Sequence, residues 1–110
     1  MIDAISPALE IDREAMKVFV CGEWVPVSLN RYRALLLFID NPGRMLSHAE
    51  IFEASTGYAY PGVGREQLAS NVRTLVHYLR QLVGGAGVRF VPLRGFGFRM
   101  EDMMLPGDPP

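Results

Sequence analysis

The spacing of apolar residues divides the chain into segments with different predicted secondary structures. Residues 10–27 are predicted to form short strands, because residues 17–21 and 24–27 are rich in β-branched and aromatic residues and a turn signal at Gly22-Glu23 separates them. Pro26 lacks an N–H group, so the strand that contains it is predicted to lie at the edge of a sheet. Residues 1–8 show no comparable pattern, and we expect them to form a flexible lead-in.

Three segments in the middle of the chain carry apolar residues at the spacing of amphipathic helices. Ser28 and Ser47 precede the first two segments and are good N-caps, because their hydroxyls accept hydrogen bonds from free first-turn N–H groups. Ser47 and Glu50 also match a capping box, and Gly57 is predicted to end the second helix. The third helix is the longest, and its apolar stripe consists of Leu68, Val72, Leu75, Val76, Leu79, Leu82 and Val83.

Two strand-like segments follow the third helix. Residues 88–93 and 96–100 are separated by an Arg-Gly pair at 94–95, which predicts a β-hairpin. Residues 101–110 are acidic and rich in proline, and we expect them to be disordered. A helix–loop–helix followed by a hairpin is the winged-helix arrangement. We therefore predict an α+β winged helix-turn-helix domain over residues 9–100, with an N-terminal antiparallel sheet, three helices and a C-terminal hairpin wing.

Charge is distributed unevenly along the chain, although its formal net charge is only −1. Residues 1–63 carry a charge of −3, and residues 101–110 also carry −3. Residues 64–100 contain six arginines and one acid, Glu66, for a charge of +5. A positive segment of this kind suits a partner that bears phosphates. From charge alone, a solvated arginine face explains the segment equally well.

The polar face of the third helix is the first candidate interface. At about 100° per residue, the side opposite the apolar stripe carries Ser70, Arg73, Thr74, His77 and Gln81. An α-helix fits the major groove of DNA, where side chains of these types read base edges or contact phosphates. The alternative is an ordinary solvated helix face, and the absence of Glu and Lys from this face favours recognition.

The hairpin supplies the second candidate interface. Arg94 lies at its tip beside Gly95, and glycine allows a tight bend and a close approach to another surface. An arginine at that position suits the minor groove, where the negative potential of DNA is concentrated. Arg89 and Arg99 on the strands and Arg80 on the third helix are candidate phosphate ligands. The alternative is a hairpin that needs glycine only to turn and carries a solvated arginine.

Three short motifs occur in order over residues 10–100. They are Asn41-Pro-Gly-Arg-Met-Leu-Ser47, Leu79-Arg80 in the third helix, and Arg94-Gly-Phe-Gly-Phe98 in the hairpin. Together they resemble the OmpR/PhoB-type winged-helix effector domain of bacterial response regulators. The resemblance implies that the third helix reads the major groove and that Arg94 reaches the minor groove. It also implies that the loop before the third helix touches RNA polymerase, and that two copies bind repeated half-sites head to tail.

Four positions depart from the pattern of this family. The family has an acid three residues after the first N-cap, where this chain has Arg31, and a tryptophan near the end of the second helix, where it has Thr56. In the third helix, Arg73 replaces an Asp and Leu75 replaces a His. These changes alter the surface that would select a target sequence and can shift the DNA-facing residues by a turn. The chain is also too short to include a receiver domain, so we expect a standalone relative or a fragment.

Two tyrosines lie in the Pro- and Gly-rich loop before the third helix. The resemblance makes Tyr58 and Tyr60 candidate contacts for RNA polymerase. The alternative is that both rings pack against the second and third helices. The sequence leaves these two interpretations open.

The sequence therefore predicts sequence-specific binding of duplex DNA by a bacterial transcriptional regulator. The predicted partner is double-stranded DNA, with RNA polymerase and a second copy of the chain as further candidates. The alternative is a winged-helix protein-interaction module that contacts RNA polymerase or another regulator, because a fold does not fix a function. Pulldown of polymerase subunits without a salt-sensitive DNA shift would favour that alternative.

Several function classes are disfavoured by what the sequence contains. His48 and His77 lack a Ser, Cys or carboxylate partner at a recognisable spacing, so we expect no enzyme activity. The His and Cys residues do not have zinc-site spacing, and no phosphate-loop pattern occurs, so we expect no metal or cofactor. A single cysteine, Cys21, and the lack of a signal peptide or long apolar run favour the cytoplasm over a membrane.

Overall fold

A computed structural model describes residues 2–62 and 64–102, and it places strands on both sides of three helices in chain order. The N-terminal strands pair as an antiparallel sheet in the order β1-β2-β3-β4, and a second sheet has the order β5-β7-β6. No helix in the described ranges is long and apolar enough to span a membrane. The elements are β1 Ile2–Ser6, β2 Leu9–Asp12, β3 Lys17–Val20, β4 Glu23–Val25, α1 Leu29–Asp40, β5 Leu46–Ser47, α2 His48–Thr56, α3 Arg65–Val83, β6 Val88–Leu93 and β7 Gly97–Asp102.

The N-terminal sheet differs from the sequence prediction at its first strand. Residues 2–6 were expected in a flexible lead-in, but they form β1 and pair antiparallel with β2. The strand is held because Ile5 packs against the core and the buried hydroxyl of Ser6 donates to the carbonyl of Ala86 at 3.5 Å. At the other end, β4 is an edge strand, as Pro26 predicted.

The helix boundaries follow the capping residues. The Ser28 hydroxyl accepts a hydrogen bond from the Arg31 N–H at the start of α1. Ser47 and Glu50 form the complete capping box of α2, with both reciprocal hydrogen bonds present. Gly57 ends α2 in the left-handed conformation, at φ +78°. Local side-chain chemistry therefore fixes where the first two helices begin, as predicted.

The core lies between the three helices and the two sheets. In α3 the predicted apolar stripe faces inward, although Leu75 and Leu82 are only partly buried. Phe38 of α1 is fully buried and meets Phe90 of the wing edge to face, with ring centroids 5.0 Å apart. This contact ties α1 to the second sheet, so the wing and the helices share one core.

The wing is the hairpin of β6 and β7. Its turn spans residues 94–96, where the Phe96 N–H donates to the Leu93 carbonyl at 3.0 Å and Gly95 adopts φ +79°. β7 begins one residue later than predicted and extends to residue 102, so residues 101–102 are part of a strand and not of a disordered tail. Residues 103–110 lie outside the described residues.

Two-residue strand β5 joins the wing to the start of α2. Leu46 and Ser47 pair with β7 opposite Phe98 and Gly97, and the His48 N–H donates to the Phe96 carbonyl at 2.8 Å. The backbones approach so closely that a Cβ at Gly97 would lie 2.8 Å from the Leu46 carbonyl carbon. Only glycine fits at this crossing.

Candidate nucleic-acid interface

The predicted polar face of α3 is exposed along most of the helix. Its exposed members are Ser70, Arg73, Thr74, His77 and Gln81. The helix positions them together because its buried residues occupy the opposite side, against α1 and α2. The Thr74 hydroxyl donates to the Ser70 carbonyl at 3.1 Å, which leaves its methyl and oxygen lone pairs for a partner. The face thus presents one cation and several hydrogen-bonding groups to solvent.

The ten arginines differ in the partners of their guanidinium groups. Four form salt bridges with carboxylates, namely Arg13, Arg44, Arg89 and Arg99. Within residues 2–62 and 64–102, five others form neither a salt bridge nor a side-chain hydrogen bond, namely Arg31, Arg33, Arg65, Arg73 and Arg94. Three of these five lie on α3 or at the wing tip, where an anionic partner can reach them.

Arg89 and Arg99 were predicted as phosphate ligands, but both are paired inside the wing. The Arg89 Nη2 lies 2.7 Å from one oxygen of Glu101, and the Arg99 Nη2 lies 2.6 Å from the other. Hydrogen bonds from Arg99, the larger cause, and from Arg89 hold the pKa of Glu101 below its usual value. The carboxylate is therefore charged at neutral pH. The trio carries a net charge of +1, so the wing strands offer less free charge than the sequence indicated.

Arg80 is also engaged within the fold. Its Nη2 donates to the Phe90 carbonyl at 2.8 Å, and its guanidinium carbon lies 5.8 Å from the centre of the Phe98 ring. This arginine connects α3 to both strands of the wing. It was predicted as a phosphate ligand, and its geometry gives it a positioning role in the free protein.

Removing the Glu101 charge is expected to strengthen binding to duplex DNA. In Glu101→Gln, Arg89 and Arg99 lose their shared carboxylate and become available to phosphates. We expect about two- to tenfold tighter binding and a salt dependence steeper by up to roughly two units. The measurement is fluorescence anisotropy with a labelled duplex at several salt concentrations. Glu23→Gln makes the same charge change on exposed β4, and equal gains in both variants would contradict the prediction.

A groove of about 660 Å³ separates the start of α2, the first half of α3 and the wing turn. Arg65 and Arg73 line it from α3, Gly95 and Phe96 line it from the wing, and His48 lines it from α2. Burial lowers the pKa of His48, and the charge of Arg73 lowers it further, so His48 is neutral at pH 7. Arg65 and Arg73 therefore bring two positive charges to the groove, and Glu66, which also lines it from α3, brings one negative charge.

The wing tip combines a cation with apolar side chains. Arg94 is exposed, and its neighbours Leu93 and Phe96 are 52% and 44% exposed. An arginine at such a tip suits a narrow minor groove, because the enhanced negative potential there attracts a guanidinium. The structure thus places Arg94 where the sequence predicted, at the end of the hairpin.

The two loop tyrosines have different environments. Tyr58 is 76% exposed, whereas Tyr60 is half-buried and packs edge to face against Phe52 at 6.3 Å. The Tyr60 hydroxyl is buried and has no hydrogen-bond partner in the described ranges. Tyr60 therefore packs against α2, as the alternative interpretation predicted, while Tyr58 remains exposed to solvent.

Sequence reasoning missed a contact between α1 and α3. The guanidinium carbon of Arg31 lies 3.8 Å from the centre of the Tyr78 ring, and the Tyr78 ring meets the His77 ring at 5.9 Å. Tyr78 is 41% exposed and borders the predicted face. The replacement of an acid by Arg31 was the available signal, but the helical pattern could not show which residue it meets. Arg65, at the first position of α3, was also missed.

Comparison with known proteins gives sequence relatives among bacterial regulators. The chain is 33% identical over 93 residues to the transcriptional regulatory protein CseB of Streptomyces avermitilis, covering 84% of this chain. It is 30% identical over 91 residues to the regulatory protein VanRB of Enterococcus faecalis, covering 83% of this chain. The chain spans only 37% and 38% of the lengths of these two relatives. No protein-family model matches the chain.

The fold matches nearly the whole of one solved DNA-binding domain. The DNA-binding domain of Bacillus subtilis CssR superposes with a TM-score of 0.68 at 26% identity, covering 84% of this chain and 99% of that chain.

The described residues contain no group of three His, Cys, Asp or Glu side chains that could hold a metal ion.

The strand order, the three helices and the hairpin agree with the arrangement predicted from the motifs at residues 41–47 and 94–98. The chain is a winged-helix domain of the OmpR/PhoB type, the fold of response-regulator DNA-binding domains.

Proposed function

We propose that the chain is the DNA-binding domain of a bacterial transcription regulator and recognises specific sequences in duplex DNA. One observation carries the proposal. Three arginines in or beside the groove have no carboxylate partner among the described residues: Arg65 and Arg73 line the groove together with Glu66, and Arg94 is exposed at the wing tip next to Gly95, which also lines the groove. The region of CssR that this chain resembles is a DNA-binding domain.

In this proposal α3 enters the major groove. Arg73 forks onto a guanine edge or a phosphate, and His77 and Thr74 donate to or accept from base edges. On this face, Ser70 lies nearest the N-terminus of α3 and Gln81 lies nearest its C-terminus. The α3 face carries no acid between Ser70 and Gln81, so nothing on it repels the phosphates. Contacts of this kind select sequence, because each base pair presents a distinct pattern in the major groove.

The wing acts beside the recognition helix. Arg94 inserts into the adjacent minor groove, where an arginine is attracted by the concentrated negative potential. Arg80 holds the wing strands against α3 through the Phe90 carbonyl. Arg89 and Arg99 contribute the residual charge of their cluster with Glu101. Phosphate contacts from these side chains position the domain, while α3 selects the sequence.

The test of this function is a salt titration of duplex binding. Binding of genomic fragments is measured in the presence of random-sequence competitor DNA over about 0.05 to 0.3 M salt. Specific recognition predicts that some fragments stay bound when the competitor is present. Weak and equal retention of all fragments would overturn sequence-specific recognition. A retained fragment that contains direct repeats also tests self-association. Two copies bound to one fragment should give a second complex of lower electrophoretic mobility.

Arg94→Ala is expected to weaken duplex binding by about 1–3 kcal/mol, because the minor-groove contact is lost. The fold should be unchanged, since the Arg94 side chain is exposed and makes no salt bridge among the described residues. Electrophoretic shift at moderate salt measures the effect. The matched control is Arg33→Ala, because Arg33 is exposed on α1 and also has no salt bridge among the described residues. Unchanged affinity in Arg94→Ala would show that the wing tip makes no energetically important contact.

A protein-interaction module is the second candidate function. The accessible Tyr58 ring, 76% exposed in the loop before α3, favours it. An aromatic side chain at this exposure suits a protein partner, and RNA polymerase is the proposed one. Pulldown of polymerase subunits by the wild type and not by Tyr58→Ser supports this function. Retention by both variants would exclude Tyr58 as the contact.

A further inference from the structure

A cation from α1 is stacked beside the recognition helix. Arg31 lies at the third position of α1, and its guanidinium carbon is 3.8 Å from the centre of the Tyr78 ring of α3. The first turn of α1 contains no acid. Within residues 2–62 and 64–102, Arg31 forms no salt bridge. Its charge is therefore not neutralised by the described part of the fold.

The stack fixes the direction in which Arg31 can bind. A guanidinium that lies over an aromatic ring is attracted to it and keeps its N–H groups at the edge of the plane. Two parallel N–H groups at such an edge match the oxygens of a phosphate. Tyr78 is 41% exposed and Arg31 is half-buried, so the stacked pair lies at the surface with part of Arg31 covered.

The position of Tyr78 on α3 puts this cation opposite the wing. At about 100° per residue, Tyr78 is rotated by roughly 140° from Arg73 around the helix. Arg73 lines the groove toward the wing, whereas Tyr78 faces α1. The exposed face with His77 lies between them, and the His77 and Tyr78 rings are 5.9 Å apart. The helix therefore has a cation on each flank of its exposed face.

We propose that Arg31, held on the Tyr78 ring, binds a backbone phosphate of duplex DNA on the flank of the major groove away from the wing. This inference rests on the proposed function and adds α1 to the interface. Helix α3 fills the groove, and the two phosphate backbones that border it run along its flanks. Arg31 and the wing arginines then contact different backbones. A phosphate contact of this kind contributes affinity and register but no base preference.

The test uses Arg31→Gln in the whole chain. Glutamine retains a planar group that can lie on Tyr78 but has no charge, so folding is expected to be preserved. A mixed-sequence duplex of about 30 base pairs is the probe, and binding is measured by anisotropy from about 0.05 to 0.3 M salt. We expect affinity to fall about three- to tenfold and the salt slope to fall by about one unit.

Arg33→Gln is the matched control for the loss of one charge. Arg33 lies on the same helix, and its guanidinium is beside Gly57 at the end of α2. Tyr78→Phe retains the aromatic face and should bind as the wild type does, whereas Tyr78→Leu should lose part of the Arg31 effect. Thermal unfolding of each variant separates a loss of contact from a loss of fold.

The outcomes distinguish this inference from the proposed function. A wild type that binds with salt dependence, together with Arg31→Gln equal to Arg33→Gln in affinity and slope, overturns the Arg31 contact alone. A wild type without salt-sensitive binding overturns both. A selective loss in Arg31→Gln, with the same melting temperature as the control, supports the contact. If Arg31→Gln unfolds, Tyr78→Leu is compared with Tyr78→Phe instead. Weaker binding and a smaller salt slope in Tyr78→Leu support the Arg31 contact, and equal affinity and slope in the two variants overturn it.

Discussion

Gly97→Ala is expected to destabilise the domain by more than about 3 kcal/mol, because the added methyl group meets backbone atoms of β5. A Cβ at this position would lie 2.8 Å from the carbonyl carbon of Leu46 and 2.9 Å from the Cα of Ser47. Both neighbours are backbone atoms, which cannot rotate away as a side chain can. Relief requires separating β5 from β7, and the pairing that holds the wing to α2 is then lost.

Urea unfolding followed by circular dichroism measures this effect. Gly85→Ala is the matched control, because its Cβ would have open space within 4 Å and its φ is not in the left-handed region. We expect the control to change the unfolding midpoint little. Equal midpoints for the two variants would mean that the β5–β7 crossing adjusts at low cost, and Gly97 would then have no special role.

Arg73→Glu is expected to reduce duplex affinity by about 100-fold at moderate salt and to lower the salt slope by nearly two units. The substitution places a carboxylate on the exposed face of α3, beside the groove that faces the wing. A like charge at that position repels the phosphates on approach and cannot fork onto a guanine. The fold should survive, because Arg73 is exposed and has no salt bridge among the described residues.

Lys17→Glu is the control for the same reversal of charge. Lys17 is exposed on β3, in the N-terminal sheet. Binding curves for both variants, with specific and competitor duplexes at several salt concentrations, separate a local contact from a change in net charge. If the two variants lose the same affinity, the position of Arg73 is irrelevant and only overall charge governs binding.

Features that depend on neighbours within one helical turn could be predicted from the sequence. The hydroxyls of Ser28 and Ser47 cap their own helices, and the stripe of α3 needs only residues three or four apart. The bend at Gly95 likewise depends on one residue that tolerates φ +79°. These local features are enough to give the order of elements and hence the fold class.

Features that depend on distant partners could not be predicted in the same way. β1 was missed because it is held by pairing with β2 and by Ser6, whose partner Ala86 lies 80 residues further along the chain. Glu101 looked like part of an acidic tail, but β7 is long enough to bring it opposite Arg89. Arg31 and Tyr78 meet only because α1 packs against α3. Charge counts along the sequence cannot tell a neutralised arginine from an available one.

The short pairing between β5 and β7 has a consequence for how a duplex would be selected. It fastens the tip-bearing hairpin to the first turn of α2 by backbone hydrogen bonds, including the one from His48 to Phe96 at 2.8 Å. These hydrogen bonds fix the distance between the wing tip and the helices. Under the proposed function, we expect the domain to prefer sequences whose grooves reach the required widths at low energetic cost, even at base pairs that no side chain touches.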